Sequence, residues 1–332
     1  MKVSEIGEFG LIDLLAEMIG DVADDRLILT IGDDTAAWHG DTSIQLATVD
    51  SLIQDTYFSF DTASWEEVGW KALAVNLSDI AAMGGIPRYV LVSLSLPGNT
   101  EVENVIALYR GMLDLAHRFK VAIIGGNISN SPKVAIHVTV LGSALDKDSH
   151  ILTRTTAQPG DKIVVTGQLG ASNAGLKMLL EGLTFEPEAT AAFRKAFLTP
   201  YPRITEGQQL VKYGVKTAVD ISDGLIADLG HICQASKVGA RLEVDHVPVS
   251  PHVQANFGGD ALAMALTGGE EYQLLFTATP GQIDSVKAVI SCPLAVIGEI
   301  TAEHTGEIVL VDSDGNPVDL PGTGWDHFAK RK

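Results

Sequence analysis

Cysteine is scarce: the 332 residues contain two, Cys233 and Cys292. They form no CxxC pair, and the histidines are scattered, so neither a zinc site nor a disulfide framework is indicated. Two lone cysteines fit a reducing compartment. Long apolar runs are also missing. The longest, such as residues 86–97, fall short of the ~18–20 residues needed to span a bilayer. Met1 to Gly10 carries Glu5 and Glu8 and no apolar signal core. The expectation is a soluble, cytoplasmic protein with no membrane partner. Basic charge is low: 23 Lys and Arg against 42 Asp and Glu leave a net charge of −19. Nucleic-acid affinity rests on clustered Lys and Arg, so a nucleic-acid partner is not expected. Several known phosphate and hydrolase motifs are absent too. There is no Gly-Lys dipeptide and hence no Walker A loop, no HRD…DFG set, no GxSxG elbow and no HExxH.

What is present describes a folded chain. It is 46% hydrophobic and 20% charged, unlike a disordered protein. The length suits two domains at the usual ~150 residues each. An acidic chain is a plausible host for divalent metal, because carboxylates are the usual hard-cation ligands. Helix and strand signals alternate throughout. Residues 27–31, 44–49 and 89–96 read as strands, and 121–124 as a buried strand running into Gly125-Gly126. Ser64 followed by Glu67 is a capping box that opens a helix reaching Met83, and 102–119 reads as a second helix. The pattern loosens around 142–160, which predicts domains of residues 1–145 and 146–332. Beyond it, 162–166, 217–221 and 272–278 read as strands, and 172–181, 225–235 and 260–266 as helices. Two mixed α/β halves, an α/β (α+β) fold class, are the simplest architecture.

The informative acids sit beside glycine, at strand ends and helix starts, where α/β proteins build sites. Asp33 and Asp34 follow the first strand, and Asp50 ends the second. Asp220, Ser222 and Asp223 occupy a strand-to-helix junction. Gly125-Gly126-Asn127 forms another, where backbone N–H groups can approach phosphate. Most of these have an ordinary alternative: Asp33 and Asp34 as turn residues, Asp50 as the start of a turn, Ser222 and Asp223 as a helix cap and first-turn acid. Asp79 does not, because it lies mid-helix among Ala74, Val75, Ala81 and Ala82, on one face with Asn76. Together these residues suit magnesium and phosphate.

The segments Ile31-Gly32-Asp33-Asp34, Lys71 to Gly84, Val165-Thr166-Gly167, Asp220 to Leu225, Leu266 to Glu270 and Gly324-Trp325-Asp326-His327-Phe328 occur in this order. The set resembles the thiamine-monophosphate kinase family, within the aminoimidazole ribonucleotide synthetase superfamily, over nearly the full chain. The resemblance implies use of ATP and Mg2+ to phosphorylate thiamine monophosphate by direct in-line transfer. It also implies two α/β halves of that superfamily's type and a homodimer formed through the N-terminal sheet. By motif match, Asp34, Thr48, Val49, Asp50, Asp79, Asp220 and Asp223 would form the magnesium shell, with Asn127 in a position that usually holds a ligand Asp. Tyr109, Gly125, Gly126, Arg154 and Ser222 would meet the nucleotide, while Tyr57, Glu270 and Trp325 would meet the thiamine phosphate. Asp79, Asp220, Asp223 and Arg154 would carry the catalysis.

The chain departs from the family pattern at three places. Gly125-Gly126-Asn127-Ile128-Ser129 replaces the usual Gly-Gly-Asp-Thr-Thr, so one metal should bind more weakly. Tyr57 replaces a usual His, and Gly269-Glu270-Glu271-Tyr272-Gln273 replaces Gly-Glu-Asp-Tyr-Glu. Other ATP-using relatives fit less well. Selenophosphate synthetase needs an N-terminal reactive Cys or selenocysteine, and no Cys occurs before Cys233. The hydrogenase-maturation relative ends in Cys, whereas Phe328 to Lys332 contains none. A non-catalytic nucleotide or thiamine phosphate binder is the remaining alternative.

Overall fold

The computed structural model describes residues 1–20, 24–31 and 35–319. It divides into two compact units, Met1–Ile80 with Gly85–Ser149, and Ala81–Gly84 with His150 onward.

The first unit begins with helix α1 (Val3–Ile19), broken at Gly7, and a small ribbon of β1 (Leu27–Leu29) and β2 (Ala37–Trp38). Its main elements are β3 (Gln45–Ile53), α2 (Trp65–Ala82), β4 (Ile86–Leu96), α3 (Val102–Phe119), β5 (Ala122–Asn130) and β6 (Ala135–Ser143). The sheet order is β3-β6-β4-β5, antiparallel except for the parallel β4–β5 pair. Ser64 Oγ accepts from Glu67 N–H and the Glu67 carboxylate accepts from Ser64 N–H, so the expected capping box does open α2. The backbones of α2 and α3 touch through glycine. A Cβ on Gly69 would lie 1.9 Å from Leu108 O, and one on Gly111 1.9 Å from Glu66 O. One sheet face is buried through Leu46, Leu52, Val92, Leu94, Ile136, Val138 and Val140.

Two expectations about strands are corrected here. The second strand does not end at Asp50, because pairing with β6 continues to Ile53↔Ala135 and leaves Thr48-Val49-Asp50 in mid-strand. Nor is Gly125-Gly126-Asn127 a strand-to-helix junction. These residues lie within β5, paired with Leu91, Val92 and Ser93. Gly126 is required there, since a Cβ would stand 1.9 Å from Val92 O.

The second unit contains β7 (Lys162–Thr166), α4 (Ala171–Glu181), α5 (Pro187–Leu198), α6 (Ile204–Lys212), β8 (Thr217–Asp220), α7 (Leu225–Ser236) and β9 (Gly239–Glu243). It continues with α8 (Pro251–Phe257), α9 (Ala261–Thr267), β10 (Leu274–Ala278), α10 (Pro280–Lys287), β11 (Leu294–Thr301) and β12 (Ile308–Val311). The six strands run in the order β12-β9-β11-β7-β10-β8. Neighbours are antiparallel except β12 and β9. Leu225, Leu229, Ile232 and Cys233 of α7 are fully buried in one core with Val165, Leu275 and Ile297. Among the described residues no helix is long and apolar enough to cross a membrane.

Candidate active site

In the first unit the site is built by the two-residue period of a strand meeting the helical spacing of α2. Leu46, Thr48, Asp50 and Leu52 alternate onto one face of β3, and Leu46 and Leu52 are buried. Val49 points to the other face and is 61% exposed, so it can offer the site only its backbone. On α2, Asn76 and Asp79 share a face. Thr48 Oγ donates to Asp79 Oδ2 at 2.5 Å, and Asp50 N–H donates to Asn76 Oδ1 at 3.0 Å. Asn76 Nδ2 donates in turn to Ala72 O at 3.0 Å, which fixes the amide's orientation. Burial first, then the negative charge of Asp79 and the hydrogen bond with it, push the Asp50 carboxyl up to about 6. Two acids held this close, with the Thr48 hydroxyl and the Asn76 amide oxygen beside them, make an oxygen donor set that suits a hard divalent cation.

In the second unit Asp220 ends β8 and is 2% exposed. Ile221 and Leu225, both fully buried, anchor the loop between them. Ser222 and Asp223 are not the cap of α7. The N-cap is Gly224 at φ +118, a conformation that glycine supplies readily. The N–H groups of Ser222, Asp223 and Gly224 all donate to Asp228 Oδ2, each at 3.1 Å. Asp228 thus reaches back from the first turn and holds the loop that displays Asp223. Burial and the Asp223 charge push its carboxyl up to about 7, against the three N–H groups, which act the other way. Asp223, Asp228 and His231 each place a donor atom within 4.8 Å of the others. Sequence reasoning passed over Asp228. The available signal was its place in Leu225, Asp228, Leu229 and Ile232, an acid on the buried helical face.

The remaining expected residues are placed as follows. Glu270 is half-buried beside the same loop, and its N–H donates to Ser222 O at 2.8 Å. Tyr57 lies half-buried in the turn after β3, where its N–H donates to Ile53 O at 3.0 Å. Asn127 is exposed on β5, an edge strand, and Arg154 is exposed ahead of β7. Tyr109 packs in the core of the first unit at 5% exposure, and burial pushes its phenol above the ordinary range. Asp34 and Trp325 lie outside the described residues.

Residues 32–144 match the family described as AIR synthase related protein, N-terminal domain, and residues 158–311 its C-terminal domain. The chain is therefore a two-domain member of the AIR synthase-related family. Within it, the chain is 36% identical to the thiamine-monophosphate kinase of Aquifex aeolicus (strain VF5), covering 99% of this chain and 100% of that protein. It also resembles the crystal structure of thiamine-monophosphate kinase from Stenotrophomonas maltophilia K279a, at a TM-score of 0.81 and 35% identity over 89% of this chain and 93% of that one. A structure of AaThiL complexed with AMPPCP and TMP matches at a TM-score of 0.76 and 34% identity, with 99% of each chain covered. The chain belongs to the thiamine-monophosphate kinase family.

Proposed function

We propose that this protein transfers the γ-phosphoryl group of ATP to thiamine monophosphate, giving thiamine diphosphate and ADP. The reading is carried by kinship over nearly the whole chain with thiamine-monophosphate kinases, including a relative complexed with AMPPCP and TMP. The geometry supports it through the carboxylate, hydroxyl and amide cluster of Thr48, Asn76, Asp50 and Asp79.

Thr48, Asp50, Asp79 and the Val49 carbonyl in the first unit, with Asp34, are the proposed Mg2+ ligands. Asp220 and Asp223 serve the same purpose in the second. The donor chemistry fits, because acids that raise one another's proton affinity are relieved by a cation. Bound Mg2+ would supply charge neutralisation for two phosphate-bearing substrates. Asn127 keeps a carbonyl oxygen but no charge, so it is a weaker ligand than the family's usual Asp. Gly125, Gly126, Arg154 and Ser222 are proposed to meet the nucleotide, and Tyr57, Glu270 and Trp325 the thiamine phosphate. Tyr109, packed in the core, is left out of that set.

The chemistry asks little of a general base. A phosphate monoester with a second pKa near ~6 is already largely ionised at neutral pH. Its oxygen attacks the γ-phosphorus as the bond to ADP breaks, and no proton need move. The protein's part is to orient and to stabilise charge, for which the planar Arg154 guanidinium is suited. No covalent phosphoenzyme is required. The open face of the first unit's sheet, with Val49 61% and Ile53 37% exposed, is the proposed homodimer face, and we place the protein in the cytoplasm. Incubation with ATP, Mg2+ and thiamine monophosphate should yield thiamine diphosphate and ADP in equal amounts by chromatography. ATP binding without diphosphate formation would favour a non-catalytic binder.

A further inference from the structure

The segment that follows α9 takes an unusual path. Glu270 and Tyr272 both have left-handed backbone conformations, at φ +60 and +52, which side-chain-bearing residues rarely adopt. Two contacts pin this turn to the carboxylate loop after β8. Glu270 N–H donates to Ser222 O at 2.8 Å, and Tyr272 N–H donates to Ile221 O at 2.9 Å. Ile221 N–H returns the pairing to Gln273 O at 2.8 Å. There is no room for slack: a Cβ on Gly269 would lie 2.6 Å from Ser222 O, and one on Gly268 2.7 Å from Asn173 Cβ.

Between the two left-handed residues, Glu271 turns inward and is 7% exposed. One of its carboxylate oxygens accepts from Gly170 N–H at 2.7 Å and from Ser172 N–H at 3.2 Å, and Asn173 N–H also donates to the group. These N–H groups open α4, where no side chain of the helix's own cap residue serves them. All three N–H groups belong to the start of α4, so the Glu271 side chain ties the turn that bears it to that helix.

We propose that Glu271 is a positioning residue. By fastening the left-handed turn to the start of α4, it sets Glu270 for the thiamine phosphate and, through Ser222 and Ile221, steadies the loop that displays Asp220 and Asp223. This inference rests on the kinase reading for its substrate and on the hydrogen-bond network alone for its mechanics. The reaction uses Glu271 at no atom. Its effect reaches substrate through Glu270.

Two measurements on the full chain test it. The first is amide hydrogen exchange without ligands. Glu271→Leu removes every acceptor and should speed exchange at Glu270, Tyr272 and the 222–224 amides by roughly tenfold, the size expected for lost buried hydrogen bonds. Glu271→Gln keeps an acceptor oxygen and should stay close to the parent. The second is steady-state kinetics. Glu271→Leu should raise the KM for thiamine monophosphate by roughly tenfold while kcat changes less, and Glu271→Gln should rescue it. If Glu271→Leu does not fold, Glu271→Ala, whose vacated space admits water to the N–H groups, carries the same expectations. Faster exchange confined to the first turn of α4, with the KM unchanged, would make Glu271 a helix cap and overturn the proposal. Should the parent protein form no thiamine diphosphate, the kinase reading fails instead, and the exchange measurement still decides the role of Glu271.

Discussion

Replacing Asp79 by Asn should abolish turnover while making the metal-free protein more stable at neutral pH. In the parent protein the Asp50 carboxyl rises from an ordinary 3.8 to about 6. That displacement corresponds to about 3 kcal/mol of penalty on the ionised form. The site is partly open to water, which reduces the figure to about 1–2 kcal/mol. Burial is the larger cause and Asp79 the next, so removing the Asp79 charge should return about 0.5–1 kcal/mol. The sign follows from linkage. A carboxyl whose folded pKa is raised destabilises the fold as pH climbs through the unfolded value to the folded one. The gain in Asp79→Asn should therefore be near zero at pH ~4 and fully present by pH ~7. Thr48 still finds an acceptor in the Asn oxygen, so the local hydrogen bond survives. Urea unfolding in EDTA at both pH values measures the gain, and turnover should fall by at least about a hundredfold. A variant less stable than the parent at neutral pH would refute the reasoning and make Asp79 a structural acid.

Three further outcomes are expected. Asp228→Ala strands three N–H groups and should cost about 2–3 kcal/mol in urea unfolding, whereas Asp228→Asn, which keeps an acceptor, should cost less. Gly111→Ala drives a Cβ to 1.9 Å from Glu66 O and should destabilise by several kcal/mol, about 3 or more, seen as a lowered unfolding midpoint. Asn127→Asp should lower the Mg2+ concentration needed for half-maximal rate, and an unchanged dependence would remove Asn127 from the metal shell.

The sequence was most legible where local chemistry decides the outcome. Helix α3 was expected at 102–119 and spans Val102–Phe119, because its apolar period is regular and its ends fall at plain breaks. The start of α2 followed from two side chains three residues apart. The pairing of Asn76 and Asp79 on one face was likewise a matter of helical spacing. Legibility failed where the deciding partner is distant in the chain. Nothing near Gly125 signals that Leu91 will draw it into mid-strand, and nothing near Asp50 shows that Ala135 will extend its strand to Ile53. Asp228 was missed for a different reason. It resembles a surface helix acid until the three N–H groups of the preceding loop are seen to need it. Motif resemblance singled out Glu270 without explaining its backbone. The hydrogen bonds from Glu270 N–H to Ser222 O and from Tyr272 N–H to Ile221 O supply that explanation.

The central claim is direct phosphoryl transfer to thiamine monophosphate, and γ-labelled ATP tests it most directly. The label should pass to thiamine diphosphate in step with ADP formation, with none retained on the protein and little released as inorganic phosphate. Label appearing only as inorganic phosphate, or held on the protein with no diphosphate formed, would contradict the account.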